Sequence, residues 1–278
     1  MSEATLSRAR TQSEAETYQR LRAHLGFLKL PDAAEALPRL LDEARMSKLP
    51  LIETLEALLG VEVAATEERR LTSRLRFACL PAPWRLADFD YSAQPGIDEH
   101  LIRELATLRF IEEGANVLFI GPPGVGKTML AVGLARAGAE AGHRVYFTTA
   151  ADLAARCRKA AIEGRWATMM RFYAGPRLLV IDELGYLTLP ADAAAALFQV
   201  INTRYTNGSS TLITTNVGIG SWATAFGEDP MIAAAMLDRL LHRGVVVGIE
   251  GPSYRLRSHQ MRAEALRTGT EVTPHANH

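Results

Sequence analysis

The sequence predicts an α/β protein: a parallel sheet with helices on both faces, preceded by a small all-helical module. Three observations carry that prediction. Strand-length apolar runs at 116–120, 144–148, 177–183 and 210–216 alternate with helical patterns, the signature of a parallel sheet covered by crossover helices. Residues 121–128 read G-x-x-x-x-G-K-T, with a strand-like run before them and a helix-like run at 129–136 after them. That order is the context the P-loop pattern requires. Two later strands end in polar residues, Asp182-Glu183 and Asn216. In an open parallel sheet, ligands bind beyond those strand ends.

Taken in order, residues 1–12 have no apolar period and are expected to form a flexible tail. From Ser13, Tyr18, Leu21, Leu25 and Leu28 recur at helical spacing as far as Pro31. A second helix is expected from Pro31 through Leu37, Leu40 and Leu41, kinked or broken at Pro38. Leu51, Ile52, Leu55, Leu58 and Leu59 mark a third helix, and 66–78 a fourth that ends before Pro81. The arginines of that fourth helix, Arg69, Arg70, Arg74 and Arg76, stand beside Glu67 and Glu68. They read equally as ion pairs on a solvated face and as contacts to DNA.

Residues 13–80 are therefore assigned to a helical N-terminal domain that binds DNA or a partner. Segment 81–96 is a linker whose aromatic residues Trp84, Phe89 and Tyr91 are expected to dock on the next domain, 97–258. A helix at 97–113 leads into the first strand. Helices follow at 150–163, 165–173, 191–207 and 230–241, with strand-like runs at 245–249 and 254–256 and a polar, flexible tail at 259–278.

Composition narrows the class. Hydrophobic residues make up 48% of the chain, enough for a packed core. The 31 Lys and Arg balance the 31 Asp and Glu, but unevenly along the chain. Ahead of Asn116 there are 15 basic against 19 acidic residues, and from there onward 16 against 12. The basic excess gathers between 136 and 177, with Arg156, Arg158, Lys159, Arg165 and Arg171. It fits phosphate-backbone contact or an ordinary solvated helix face. Cys79 and Cys157 form no C-x-x-C pattern, and the seven histidines show no metal-ligand spacing, so neither a disulfide scaffold nor a zinc site is expected. With no signal peptide and no membrane-length apolar run, the chain is expected to be soluble and cytoplasmic.

The chemistry concentrates at the strand ends. Gly121, Pro122, Pro123, Gly124, Val125, Gly126, Lys127, Thr128 and Met129 would wrap ATP phosphates with backbone N–H groups at a helix N-terminus. Lys127 would reach the β- and γ-phosphates, while Thr128 and Asp182 would hold Mg²⁺. Glu183 is placed to polarise a water for attack on the γ-phosphate. Asn216 is placed to sense that phosphate and orient the water, or else merely caps a turn. A small-molecule kinase would need a second-substrate pocket, and none is legible. An ATP-binding scaffold without hydrolysis would have no use for Glu183.

Several stretches resemble the IstB family, the AAA+ helper ATPases of insertion-sequence transposons, which are related to replicative helicase loaders. They are residues 88–96, 121–128, 147–153 (F-T-T-A-A-D-L), 178–186 with its D-E-L-G-Y, 237–242 and 251–257. The likeness runs from about residue 28 to 257. It implies an AAA+ P-loop fold, ATP-dependent homo-oligomers on duplex DNA with ATP sites between subunits, remodelling of that DNA, and recruitment of a partner transposase. The resemblance also implies that Arg239, with Arg243 as its competitor, is an arginine finger entering a neighbour's site. Contacts to DNA would come from Arg156, Arg158, Lys159, Arg69, Arg70 and Arg74. The alternative within the same core is a helicase loader in replication. Two departures stand out: the helical lid common among AAA+ proteins is not expected in the polar residues after 257, and 1–25 extend beyond the match.

Overall fold

The structure, a computed structural model, describes residues 3–186, 190–222 and 229–254, together with Leu256 and Arg267. Arg255, Arg257 and most of the expected 259–278 tail lie outside the described residues. The chain divides into two compact units, 1–72 and 73–278, described separately here.

The first unit is helical. Helix α1 spans Glu3–Phe27, α2 spans Pro31–Ser47 and α3 spans Leu51–Ala78. Helix α1 starts ten residues ahead of the first apolar repeat, so most of segment 1–12 is helical. Helix α2 passes through Pro38 without a break. Ala33, Leu37 and Leu40 on both sides of the proline are buried with Leu25 and Leu58, and that packing compensates for the lost backbone bond. The expected third and fourth helices are one, because 60–66 hold no proline and only Gly60 as a weak point. Helix α3 ends where Cys79 turns left-handed at φ 52°, two residues before Pro81.

In the second unit the 81–96 segment lies on the sheet domain: Phe89 and Ala93 are in its core, with Trp84, Leu86 and Tyr91 packed against it. The helix expected over 97–113 is two. Helix α4, Glu99–Ala106, is capped by Asp98 through the Leu101 N–H. Helix α5, Arg109–Glu112, is set off by Leu108 at φ 64°.

The sheet then follows: β1 Asn116–Ile120, α6 Lys127–Glu140, β2 Val145–Thr149, α7 Ala150–Ile162, α8 Trp166–Ala174, β3 Leu178–Leu184, α9 Ala191–Thr206, β4 Ser210–Thr215, α10 Pro230–Leu241 and β5 Gly244–Gly248. All pairings are parallel, in the order β2-β3-β4-β1-β5. Strands β1, β2 and β4 are buried almost throughout, as a sheet covered on both faces demands. One core packs α6 and the 81–96 segment on one face, and the other packs α7, α8, α9 and α10. The strand expected over 254–256 is not formed; Tyr254 and Leu256 are helical. Among the described residues no helix is long and apolar enough to cross a membrane.

Candidate functional site

Residues 121–126 join β1 to α6 across the C-terminal edge of the sheet. Gly124 and Gly126 carry φ of 82° and 97°, a region that costs other residues free energy. At Gly126 a Cβ would also stand 2.5 Å from the Phe89 ring. Gly126 is the N-cap of α6 and offers no side chain to its first turn. A helix N-terminus of this kind favours an anion. Lys127 leans back along the loop, its Nζ donating to the Gly121 and Pro122 carbonyls at 2.7 and 2.8 Å.

On the neighbouring strands, Thr128 Oγ1 donates to Asp182 at 3.1 Å from Oδ1 and 3.2 Å from Oδ2. Asp182 is 4% exposed. A hydroxyl and a carboxylate this close, beside a phosphate-sized loop, form an all-oxygen donor set. Mg²⁺ is held in that way, by one or two protein oxygens with phosphates and waters completing the shell. Thr128 and Asp182 therefore fit the ion.

Glu183 sits in a feature that the sequence pattern does not reveal. Ile181 pairs with Ile213 and Leu184 with Thr215, so β3 spends three residue steps against two on β4. The extra residue makes a bulge. Glu183 takes φ 60° there and is exposed, while Asp182 and Leu184 on either side are buried. The left-handed conformation costs a residue with a side chain about 1–2 kcal/mol. Thr214 braces the bulge. Its hydroxyl accepts the Glu183 N–H at 3.0 Å and donates to Asp182 Oδ1, and the residue is 1% exposed. Nothing marks this threonine in the sequence, because threonine is an ordinary strand residue. Asn216 follows β4 directly and is exposed. Gly121 N donates to Thr215 O, which puts Asn216 at the mouth of the loop.

Arg239 is elsewhere. Asn116 Nδ2, at the start of β1, donates to the Arg239 and Leu240 carbonyls at 3.3 and 3.2 Å. The phosphate loop leaves the far end of that strand, about 16 Å away for five residues at ~3.3 Å each. Arg239 donates to Asn202 Oδ1 at 2.6 Å and Ala235 O at 2.8 Å, and its guanidinium lies over the Phe198 ring. Arg243 is exposed at the same end of the sheet.

The residues expected to meet DNA are mostly engaged within the chain. In the first unit Arg69 bridges Asp32 and Glu62, and Arg70 pairs with Glu67. In the second, Arg74 donates to Ala139 O, Arg156 to the Tyr146 hydroxyl, Arg158 to both oxygens of Asp192, and Lys159 pairs with Glu163. The exposed ion pairs among these, Arg70–Glu67, Arg158–Asp192 and Lys159–Glu163, contribute about 0–1 kcal/mol, so a phosphate can displace them. Arg69, tied to the buried Glu62, is the poorest candidate of the six.

The comparisons with known proteins agree in kind. The family profile described as IstB-like ATP binding protein matches residues 23–263. A protein of Geobacillus stearothermophilus, named as an ATP-binding protein of insertion sequence IS5376, is 38% identical over 246 residues, 88% of this chain and 97% of its own. One from Pseudomonas aeruginosa, named for insertion sequence IS21, is 37% identical over 249 residues, 90% of this chain and 93% of its own. Among solved structures, AMPPCP-bound DnaA from Aquifex aeolicus superposes with a TM-score of 0.52 at 19% identity, over 70% of this chain and 58% of that one. That likeness is one of fold: the parallel P-loop sheet is of the AAA+ kind.

Proposed function

Because the chain belongs to the IstB-like ATP-binding protein family, we propose that it is an ATP hydrolase of insertion-sequence transposition. In this proposal it assembles on duplex DNA in the cytoplasm, remodels that DNA and recruits a partner transposase. The observation that carries the hydrolase assignment is the Thr128–Asp182 pair beneath the loop, with Glu183 lifted out of the strand next to it. The insertion-sequence proteins named above support the biological setting.

The chemistry follows from the residues in named roles. The loop N–H groups of 124–128 and the Lys127 ammonium hold the β- and γ-phosphates and meet the negative charge that grows as the γ-phosphoryl group departs. Thr128 and Asp182 would hold Mg²⁺, which would supply further charge neutralisation. Glu183 accepts a proton from the water that attacks the γ-phosphorus. The bond to the β,γ-bridging oxygen breaks, and ADP leaves with that electron pair. Asn216 orients the same water. Arg239 meets a neighbouring subunit's γ-phosphate, so the sites complete each other. Arg158, Lys159 and Arg156 contact the DNA backbone, with weak sequence preference and steep salt dependence.

The test is ATP turnover with and without duplex DNA, with sedimentation of the same mixtures. DNA-stimulated turnover by large ATP-dependent assemblies is expected; Lys127→Ala should lose nucleotide binding, and Glu183→Gln should keep binding and lose turnover. Phosphate release that ignores DNA, from a monomer, would sink the proposal and favour a loader that acts on a helicase.

A further inference from the structure

The sheet has two edge strands, and they differ. Strand β2 is buried from Val145 to Thr148. Strand β5 is not: Val246 is 41% exposed, and Gly248 is exposed as well. Pairing with β1 decides which backbone groups of β5 are used. Asn116 N donates to Arg243 O, and Ile249 N donates to Ile120 O, in an unshifted parallel register. Odd-numbered residues of β5 therefore bond to β1, and the N–H and C=O groups of Gly244, Val246 and Gly248 point away from the sheet. Among the described residues none of these groups has a hydrogen-bond partner. Folded proteins guard such an edge with a charge, a proline or a bulge. Residues 244–248, G-V-V-V-G, have none of the three. The two glycines also differ. At Gly244 a Cβ would stand 2.3 Å from Leu240 O, at the end of α10. At Gly248 it would meet nothing within 4 Å, and φ there is not positive. The chain's own fold does not require that second glycine, and glycine inside a strand marks the close approach of another backbone.

We propose that the β5 edge is a docking surface for β5 of a second copy, antiparallel and centred on Val246. In this register each Val246 faces the partner's Val246, and each Gly244 faces the partner's Gly248. Every outward N–H then meets an outward C=O. Side chains at 244 and 248 share one face of the sheet, the face on which α10 lies. A side chain at 248 would run into the partner's Leu240, where α10 closes onto the partner's Gly244. The strand ends choose the direction. Arg243 and Glu250 are exposed at opposite ends of β5. Antiparallel pairing sets each Arg243 near the partner's Glu250, whereas parallel pairing would set like charges together. The contact is isologous and needs neither ATP nor DNA, so it is separate from the contact that would bring Arg239 to a neighbour's loop. An edge of five residues makes a small interface, so the dimer is weak, with a Kd of about 10–100 µM.

The test is sedimentation of the full chain at about 1–300 µM without nucleotide or DNA. Concentration-dependent dimers are expected. Gly248→Val fits the chain's own fold and adds a better strand former. It should unfold no earlier than the wild type, yet dimerise at least about tenfold more weakly. Val246→Cys is made together with Cys79→Ser, because Cys79 is exposed and Cys157 is buried. It should form a disulfide dimer under mild oxidation, since facing residues in this register have Cα atoms about 5.5 Å apart. A dimer that Gly248→Val leaves intact, or that does not cross-link through position 246, would overturn the inference. So would a wild type that stays monomeric throughout. In that monomer, amide exchange at Val246 names the occupant that replaces the second copy. Slow exchange puts the chain's own residues beyond 256 on the edge; fast exchange leaves the edge to a strand of another protein.

Discussion

The Thr214 hydroxyl joins both acidic residues of the candidate site, accepting from the Glu183 backbone and donating to the Asp182 carboxylate. Thr214 is 1% exposed and reaches the site only through these two residues, so the role argued for it is positioning. Thr214→Val keeps the shape and removes both bonds. Nucleotide affinity should change by no more than a few-fold, while turnover falls about 10–100-fold and the Mg²⁺ concentration for half-maximal rate rises. Thr214→Ser, which restores the hydroxyl, should recover most of both; equal losses in the two variants would reduce Thr214 to a packing residue. Tyr173 is a contrasting case. Its ring is fully buried, its hydroxyl has no partner among the described residues, and burial pushes its pKa up to about 12. A phenol that stays protonated in the fold but ionises at about 10 when unfolded leaves stability unaffected below pH 10. Between pH 10 and 12 the unfolded chain holds fewer protons, so stability falls by about 1.4 kcal/mol per pH unit. Tyr173→Phe should cost less than ~1 kcal/mol at pH 7 and pull ahead of the wild type over that alkaline window in urea unfolding.

At the scale of elements, α2 shows how one helix end depends on another helix. Leu30, its N-cap, offers no side chain to the first turn. Glu62 of α3 does so instead, accepting the Ala33 N–H at 3.0 Å while Arg69 holds its other oxygen. Glu62→Ala should weaken the start of α2 by about 1–3 kcal/mol, the cost of a buried donor left unmet. That loss would be read as faster amide exchange at Ala33; an unchanged rate would mean that water replaces the carboxylate at no cost. The fusion of two expected helices into α3 has a similar origin. Local apolar spacing changes near residue 60, but nothing there stops the backbone, and only packing decides whether a change of face is also a break. At β3 the opposite holds. The sequence pattern is a regular strand ending in two acids, and the bulge at Glu183 arises from pairing with β4, which no local pattern encodes.

At the scale of the molecule, the phosphate loop and Arg239 lie at opposite ends of β1. The phosphate loop leaves its C-terminal end, and the Arg239 carbonyl is bound at its N-terminal end. An arginine about 16 Å away along a rigid strand cannot serve its own loop, so a catalytic Arg239 must serve another copy's. Arg239→Ala and Lys127→Ala chains should each be inactive alone, and mixing them should restore turnover, up to about a quarter of the wild-type rate if subunits pair at random. No recovery on mixing, with both variants folded and oligomeric, would remove Arg239 from the trans site. If Arg239 does act in trans, its bonds to Asn202 and Ala235 must break on assembly, which spectroscopic probes at Asn202 can follow.

The sequence alone determined the strand–loop–helix of the nucleotide site, the acids at the end of β3, and the parallel α/β class. Each of these is written within a few consecutive residues: the glycines at 124 and 126 permit positive φ, Lys127 and Thr128 open the helix, and strand and helix periods alternate along the chain. The tertiary structure decided what depends on distant partners. Thr214 meets Glu183 across 31 positions, Gln94 meets Pro252 across 158, and Asn116 meets Arg239 across 123. Such contacts exist only after the sheet has brought its strands into register, since hydrogen bonds are specified by proximity in space and apolar periods by proximity along the chain.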